Sequence, residues 1–412
     1  MSETGNVTSS YQFILKSSFP FLNLEQYKSS KVFDRIVIAD DIYEFYPSLE
    51  VHVNDKTGII VDGIVSAEGH LFTSKLGSDQ AGYTGWLESS WVWRNHNTTD
   101  IPITHYIGGV TSILFSHSFY RSDIPRSRAW DDTISNIVKS IVTEDYGISS
   151  NKVFVTNTTG KQIRQQGGIK NWDYLKSLAN ISHSIDYEYS PFITFINSAG
   201  EFYFKTIDDL LRTGEKISQT PYIIESDVDS ITKQNVLSKI IAIRTLGLGS
   251  NKNNYAIDLT KYNVDFEKET TNILDFLLGS DPSKNALINS DLKKDYPVFS
   301  SSKYGMGLYD IDRDVNDYKG HRNAIYKQNV FNLRMDIVIP FNPKAITGKI
   351  IVLDIGSVIE YKAKKSKELS GSWLILSSRV FMDVDGIPYS ELEIGKNSVD
   401  LDNQHPLKGR LQ

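Results

Sequence analysis

The chain has 412 residues, 40% of them hydrophobic and 11% aromatic, a net charge of −6 and no cysteine. At roughly 100–200 residues per domain this predicts about two to four folded domains, and it excludes disulfides, thiolate nucleophiles and cysteine-ligated metals. The acidic balance argues against a sequence-specific nucleic-acid partner, whose affinity would come from cationic groups. No apolar run reaches the roughly 18 residues of a membrane-spanning helix, and MSETGNVTSSYQF has no signal-peptide pattern, so a chain made in a cytoplasm without a membrane span is expected.

From Tyr11 to about Phe119 short alternating runs are separated by turn residues: YQFILKS, FDRIVIADD, LEVHVND, TGIIVDGIV, HLFTSKL, SSWVWRN and GVTSILFSHSFY. In FDRIVIA, Asp34, Ile36 and Ile38 share one side and Phe33, Arg35, Val37 and Ala39 the other, the period of strands. Strands without a helical period between them predict an antiparallel barrel or sandwich. The period changes at RAWDDTISNIVKSIVTEDYGIS, where Ile134, Ile137, Val138 and Ile141 define a helix face, Asp131 or Asp132 is the expected cap and Gly147 the expected stop.

A second helix is expected in NWDYLKSLANIS. Asn171 is its expected N-cap, Asp173 complements the dipole, and Trp172, Leu175, Leu178 and Ala179 form its apolar face. A hairpin follows, IDYEYSPFITFIN and FYFKTI about the turn SAGE, ending in the polar segment DDLLRTGEK. Strand character returns in VLSKIIAIRTLG and NYAIDLTKYNVDFEK. A surface excursion then leads to NLRMDIVIPFN, GKIIVLDIG, GSWLILSSRVFMD and YSELEIG. Leu333, Met335, Ile337 and Ile339 alternate with polar residues there, and VDGI predicts a hairpin turn.

Candidate chemistry is sparse. The histidines His52, His70, His96, His105, His117, His183, His321 and His405 show no zinc spacing. Asp310, Asp312 and Asp314 match the first positions of a calcium loop, but Val315 and His321 occupy its glycine and glutamate positions, which favours a solvated acidic loop. Asp383 and Asp385 fall in the hairpin turn, and TLGLGSNK lacks the ending of a phosphate loop. Asp40 and Asp41 are adjacent carboxylates of a kind that can do acid–base work, although such pairs arise by chance among 50 acidic residues. Sequons begin at Asn6, Asn97, Asn157 and Asn180. Trp86, Trp91 and Trp93 could stack sugars but more often fill a core or interface.

The stretch from Arg164 to Leu211, RQQG through NWDYLKSLANIS to FITFINSAGEFYFKTIDDLL, resembles a block of phage baseplate hub proteins and of the N-terminal part of type VI secretion spike proteins. In that family a polar strand end leads into a helix with an aromatic start, then a hairpin. Ser177 stands where the family has a basic residue. The closing strands, containing Trp373 and Tyr389, resemble the same family's final barrel strands.

The resemblance implies a mainly β, α+β chain: a first β-barrel domain (1–120), an α+β insert (121–215), returning strands with a surface excursion (216–328), a similar antiparallel β-barrel domain (329–402) and a polar tail (403–412). It further implies a non-enzymatic, cofactor-free virion component of the tail baseplate. Its expected partners are two further copies in a homotrimer, the tail tube, a spike or tape-measure protein and other baseplate proteins. Asn171, Trp172, Leu175, Leu178, Ala179, Trp373 and Tyr389 are expected to serve packing. A trimer would cover open strand edges, and an acidic channel wall would hold a passing genome weakly. A phage-derived injection or type VI secretion spike base, and a tail-tip protein that binds or degrades glycan, are the alternatives.

Overall fold

A computed structural model describes residues 11–20, 33–55, 58–78, 85–93, 111–187, 190–224, 236–245, 267–272, 298–303, 331, 333–355, 369–383 and 386–396. The first elements are β1 (Gln12–Ser17), β2 (Phe33–Asp41), β3 (Ser48–Val53), α1 (Ile59–Ser66), β4 (Leu71–Ser78), β5 (Gly85–Trp93) and β6 (Thr111–His117). The strands lie side by side in the order β1-β4-β5-β6-β3-β2, every pair antiparallel. Ile36 and Ile38 of β2 face the core as the alternation requires. Phe33 is buried too, although it has the other parity, because the pairing with β3 shifts between Phe33 and Arg35. Phe13 of β1 and Phe33 of β2, at the two ends of this strand order, meet edge to face at 5.5 Å. The two rings meet in the core that this run of strands shares.

The expected strand TGIIVDGIV is instead the helix α1. Ile60, Ile64 and Ala67 fall at i, i+4 and i+7 and join the core. Asp55 accepts a 2.6 Å hydrogen bond from the Ile60 N–H, one of the donors a helix start leaves free. A short apolar run fits both periods, and here the helical one packs.

The middle of the chain contains β7 (Pro125–Thr133), α2 (Ile134–Ser140), β8 (Val153–Val155), β9 (Lys161–Lys170), α3 (Asn171–Ile181), β10 (Phe192–Ile196), β11 (Phe202–Thr206) and α4 (Ile207–Thr213). Residues Arg128 to Asp132, expected at the helix start, belong to β7. The cap of α2 is Thr133, which accepts from the Asn136 N–H, while Asp132 receives the Thr133 N–H one position earlier. The helix runs on as a π-turn, Ile141–Asp145, and Gly147 follows at φ +67°. The polar segment DDLLRTGEK begins inside α4, which Thr206 caps and which buries Ile207 and Leu210. β8, β11 and β10 form one small sheet, β7 and β9 a separate ribbon, and α2 and α3 share a core with Phe192, Phe202 and Phe204.

The last strands are β12 (Tyr222–Ile224), β13 (Val236–Leu237), β14 (Lys239–Thr245), β15 (Glu267–Asn272), β16 (Val298–Lys303), β17 (Leu333–Pro340), β18 (Ile350–Asp354), β19 (Gly371–Asp383) and β20 (Pro388–Lys396). β15 and β16 pair only with each other among the described residues. Leu333, Met335, Ile337 and Ile339 of β17 face inward, and Gly386 closes the β19–β20 turn at φ +72°.

The 13-residue strand β19 joins the two β regions. Along one edge its first part pairs with β18 and its second part with β2, while β20 lines its other edge. The described residues thus place both regions in one 13-stranded sheet. A register shift between Ile375 and Ser377 marks the fork, where Leu376 accepts the Ile42 N–H.

Asp40 lies beside that fork with its carboxylate buried. One oxygen accepts from the Ser198 N–H and hydroxyl at 2.9 and 2.8 Å, the other from the Thr347 N–H and hydroxyl at 3.3 and 2.6 Å. Ser198 sits in the β10–β11 turn and Thr347 precedes β18. Gly348 follows at φ +86°, where a Cβ would come within 2.9 Å of the Phe195 ring. Burial raises the Asp40 carboxyl above the ordinary carboxylate value, opposed by its four donors. Asp40→Ala is expected to lower the unfolding free energy by about 2–4 kcal/mol in urea titrations, because it strands two buried backbone N–H groups. A raised folded pKa favours the fold below the unfolded value, about 4, and that advantage is lost as pH rises through the folded one. Stability of the wild type relative to the non-titrating Asp40→Asn is accordingly expected to fall as pH rises from about 4.

Candidate functional site

The block that resembles the hub family folds as a strand running directly into a helix, then a hairpin and a second helix: β9, α3, β10, β11 and α4. Asn171 is not the cap of α3. It is the first helical residue, fully buried, and Lys170 before it supplies no side-chain cap. Its amide is taken by a polar network, donating to Asp145 at 2.8 Å and accepting from Gln166 at 2.8 Å and Arg128 at 3.3 Å. Arg128 grips the same Asp145 with both terminal nitrogens. The π-turn after α2 ends on this aspartate; the wider helical turn is a common device for displacing one side chain toward a partner.

The cap comes from 49 residues earlier in the chain. Asp123 accepts the Trp172 N–H at 3.0 Å and the Tyr146 hydroxyl at 3.2 Å, and Tyr146 bonds Tyr46 at 3.1 Å. Burial pushes both phenols up from their ordinary pKa. A negative group at this helix end also meets the positive end of the helix dipole.

Leu175, Leu178 and Ala179 are buried as expected, together with Tyr174. Trp172 is only half-buried, packed against the rim of that core. Its ring lies 4.2 Å from Phe45, and the Lys176 ammonium stands 4.9 Å from it. Four buried polar atoms around this network have no hydrogen-bond partner among the described residues: Arg128 Nε, Trp130 Nε1, Gln166 Oε1 and the Tyr174 hydroxyl. The Tyr174 phenol is pushed up to about 12 by burial, against the opposing pull of Arg164 and Arg128.

The other residues singled out in the sequence are scattered. Trp373 is fully buried under β17 and β20, its N–H on the Leu369 carbonyl at 3.0 Å and Lys396 4.6 Å from its ring. Tyr389 is half-buried and stacks on Phe381 at 5.3 Å. Asp41 follows Asp40 on a strand and so points to the opposite face, where it accepts from the Tyr43 N–H. Trp91 and Trp93 lie in the core and Trp86 is half-buried. His117 is buried between Trp91 and Phe119, and desolvation lowers its pKa to about 3. Asn157 and Asn180 are exposed. No group of three metal-ligating side chains occurs among the described residues. His96, His105, His321, His405, Asn6, Asn97, Asp310, Asp312, Asp314 and Asp385 lie outside them.

One cluster was invisible to local motifs. Lys349 bridges Glu201 and Glu215, both at 2.9 Å, and Glu201 also accepts from Asn197 and Tyr203 at 2.8 Å. Burial alone would raise Glu201, but the Asn197 and Lys349 contacts hold it below the ordinary value. Lys349 lies more than a hundred residues from both glutamates, and no sequence spacing announces the cluster.

Thermal melts are expected to separate the roles around α3. Trp172→Ala costs about 1–2 kcal/mol, less than a fully buried ring would. Asp123→Ala costs about 1–2 kcal/mol for the lost cap. Tyr174→Phe leaves stability unchanged or raises it by up to about 1 kcal/mol, because the hydroxyl it removes is buried without a partner.

No family model matches the sequence, and no curated protein matches it. Among solved structures the chain is similar to the 43 kDa tail protein of prophage MuSo2 from Shewanella oneidensis, with a TM-score of 0.47 and 12% identity over 94% of this chain and 99% of that one. It is similar to the tail protein from Neisseria meningitidis MC58, at 0.46 and 10% over 96% and 100%. A third is an E. coli type VI secretion component described as structurally similar to the T4 bacteriophage tail proteins gp27 and gp5, at 0.41 and 8% over 93% and 77%. The chain's structural neighbours are thus phage tail proteins and type VI secretion spike-related proteins, all of low sequence identity.

Proposed function

We propose that the chain is a structural, non-enzymatic component of a phage tail: a baseplate hub that forms a homotrimeric ring, adapts a sixfold tail tube to a threefold spike and leaves a central channel. The observation that carries the reading is the Arg164–Leu211 block, whose sequence resembles that family and whose fold is a strand, helix, hairpin and helix clamped against both β regions. Ile193, Phe195, Ile207 and Leu210 of the block share a core with Ile42 of one region and Ile350 and Leu374 of the other.

Two barrel-like halves are part of this reading. In the first, the ends of the six-strand run meet through Phe13 and Phe33. In the second, β18, β12 and β13 lie along one edge of β19 and β20, β17 and β14 along the other, with Ser238 alone between β13 and β14, which supports a second barrel. Two similar halves in each of three chains would offer six equivalent surfaces to a sixfold tube. The tube, a spike or tape-measure protein and neighbouring baseplate proteins are the partners this places on the ring.

Native mass spectrometry of the purified chain at micromolar concentration is expected to show a trimer, and negative-stain images a threefold ring with a central hole. A monomer that stays monomeric when tube protein is added would overturn the proposal.

A further inference from the structure

His117 ends β6 and is buried, at 2% exposure, where three parts of the chain converge. Its backbone N–H is anchored on the Pro47 carbonyl at 3.1 Å. The imidazole packs against the Trp91 ring of β5 at 5.7 Å and the Phe119 ring at 4.5 Å. Gly200 of the β10–β11 turn, at φ +71°, lies against its edge: a Cβ there would stand 3.5 Å from Nε2. Nδ1 accepts the Phe119 N–H at 3.3 Å and so caps the 3₁₀ turn Ser118–Ser122. That turn leads directly to Asp123, which accepts the Trp172 N–H of α3. One ring thus seats both the hairpin turn and the approach to α3.

The bond to Phe119 defines the state of the ring. An N–H donor facing Nδ1 requires a lone pair there, which leaves the single proton of the neutral imidazole on Nε2. A second proton would set N–H against N–H, and the charged ring would be buried without water. From β5, the 3₁₀ turn and the β10–β11 turn the groups against the ring are Trp91, Phe119 and Gly200, none of which titrates. The charge that reaches it is the Lys152 ammonium, which donates to the Ala199 carbonyl of the same β10–β11 turn at 2.9 Å. Protonation would therefore place a second positive charge near the first.

We propose that His117 is an acid-sensitive latch: its protonation takes the cap from the 3₁₀ turn and unseats the β10–β11 turn, so that the strand, helix and hairpin block loosens from the first β region. Burial, and after it Lys152, holds the folded pKa at about 3. An unfolded histidine titrates near 6.5, so the stability that the neutral ring confers is fully present above about 6.5 and is lost progressively as pH falls toward the folded value. The inference is independent of the hub reading.

Urea titrations and amide hydrogen exchange of the full chain at pH 7 and pH 5 test it, with His117→Gln as the comparison, because glutamine can accept the Phe119 N–H but cannot be charged. The other titrating groups, Asp40 included, are common to both proteins and cancel. Between those two pH values the unfolding equilibrium constant of the wild type is expected to rise on the order of twentyfold more than that of the variant. Protection of the Phe119, Ser198 and Trp172 amides is expected to fall with it, to below that of β17 and β20. Histidine nitrogen shifts of the wild type, which need no variant, are expected to show the His117 ring neutral at pH 5 with its proton on Nε2. A charged ring in the folded protein at pH 5, the same pH dependence in the two proteins, or protection lost equally at Phe119 and in β17 would overturn the latch.

Discussion

The buried carboxylate of Asp40 accepts four hydrogen bonds from two stretches of chain remote from its own, and it fixes the register in which the three meet. Its partners Ser198 and Thr347 are 158 and 307 positions away. Two of the four donors are backbone N–H groups fixed by tight turns, so the acceptor cannot be shifted without stranding them. Around it the constraint spreads: Ser89 donates to the Ser198 carbonyl, Asn197 reaches the Thr347 carbonyl at 3.4 Å, and Lys349 ties Glu201 to Glu215. The stacked rings of Phe154, Tyr203 and Phe195, at 5.0 and 4.9 Å, stand beside this junction and limit how the turn at Gly348 can move. Apolar burial drives these parts together without direction, whereas this group specifies how they meet.

The same division of labour recurs around α3. Leu175, Leu178 and Ala179 supply burial, but the helix is located by polar atoms from elsewhere: Asp123 at the Trp172 N–H in its first turn and Asp145 on Asn171. Asp145 is available because the last turn of its own helix is wide, so a local irregularity in one helix sets the position of the next.

Periodicity made much of this legible. Leu333, Met335, Ile337 and Ile339, and the Ile134–Ile141 face, keep a clean period over enough residues to exclude the other kind of element. α1 was misread because TGIIVDGIV is short and mostly apolar, a pattern that strand and helix share. α4 was missed because its seven residues are short for a periodic signal and the buried set, Ile207, Asp209 and Leu210, includes a carboxylate. Asn171 has the right residue type and position for a cap, and a competing carboxylate 26 residues away claimed its amide instead. Asp40 was noticed only as half of an adjacent acid pair. Its role depends on partners that no local spacing brings into view.

The fork in β19 bears on how the protein is made. β2 needs the second half of β19 as its neighbour, and Ser377 donates to the Asp40 carbonyl across 337 positions. At roughly 5–20 residues per second, a ribosome takes on the order of 20–70 s to supply that neighbour after β2 has been synthesised. Throughout this interval the nascent chain carries an incomplete sheet whose edge contains Ile36, Val37 and Ile38. Such non-local pairing slows folding and leaves a strand open to wrong partners. Nascent chains on one polysome expose the same edge side by side, so the step most vulnerable to misassembly comes before any chain is released.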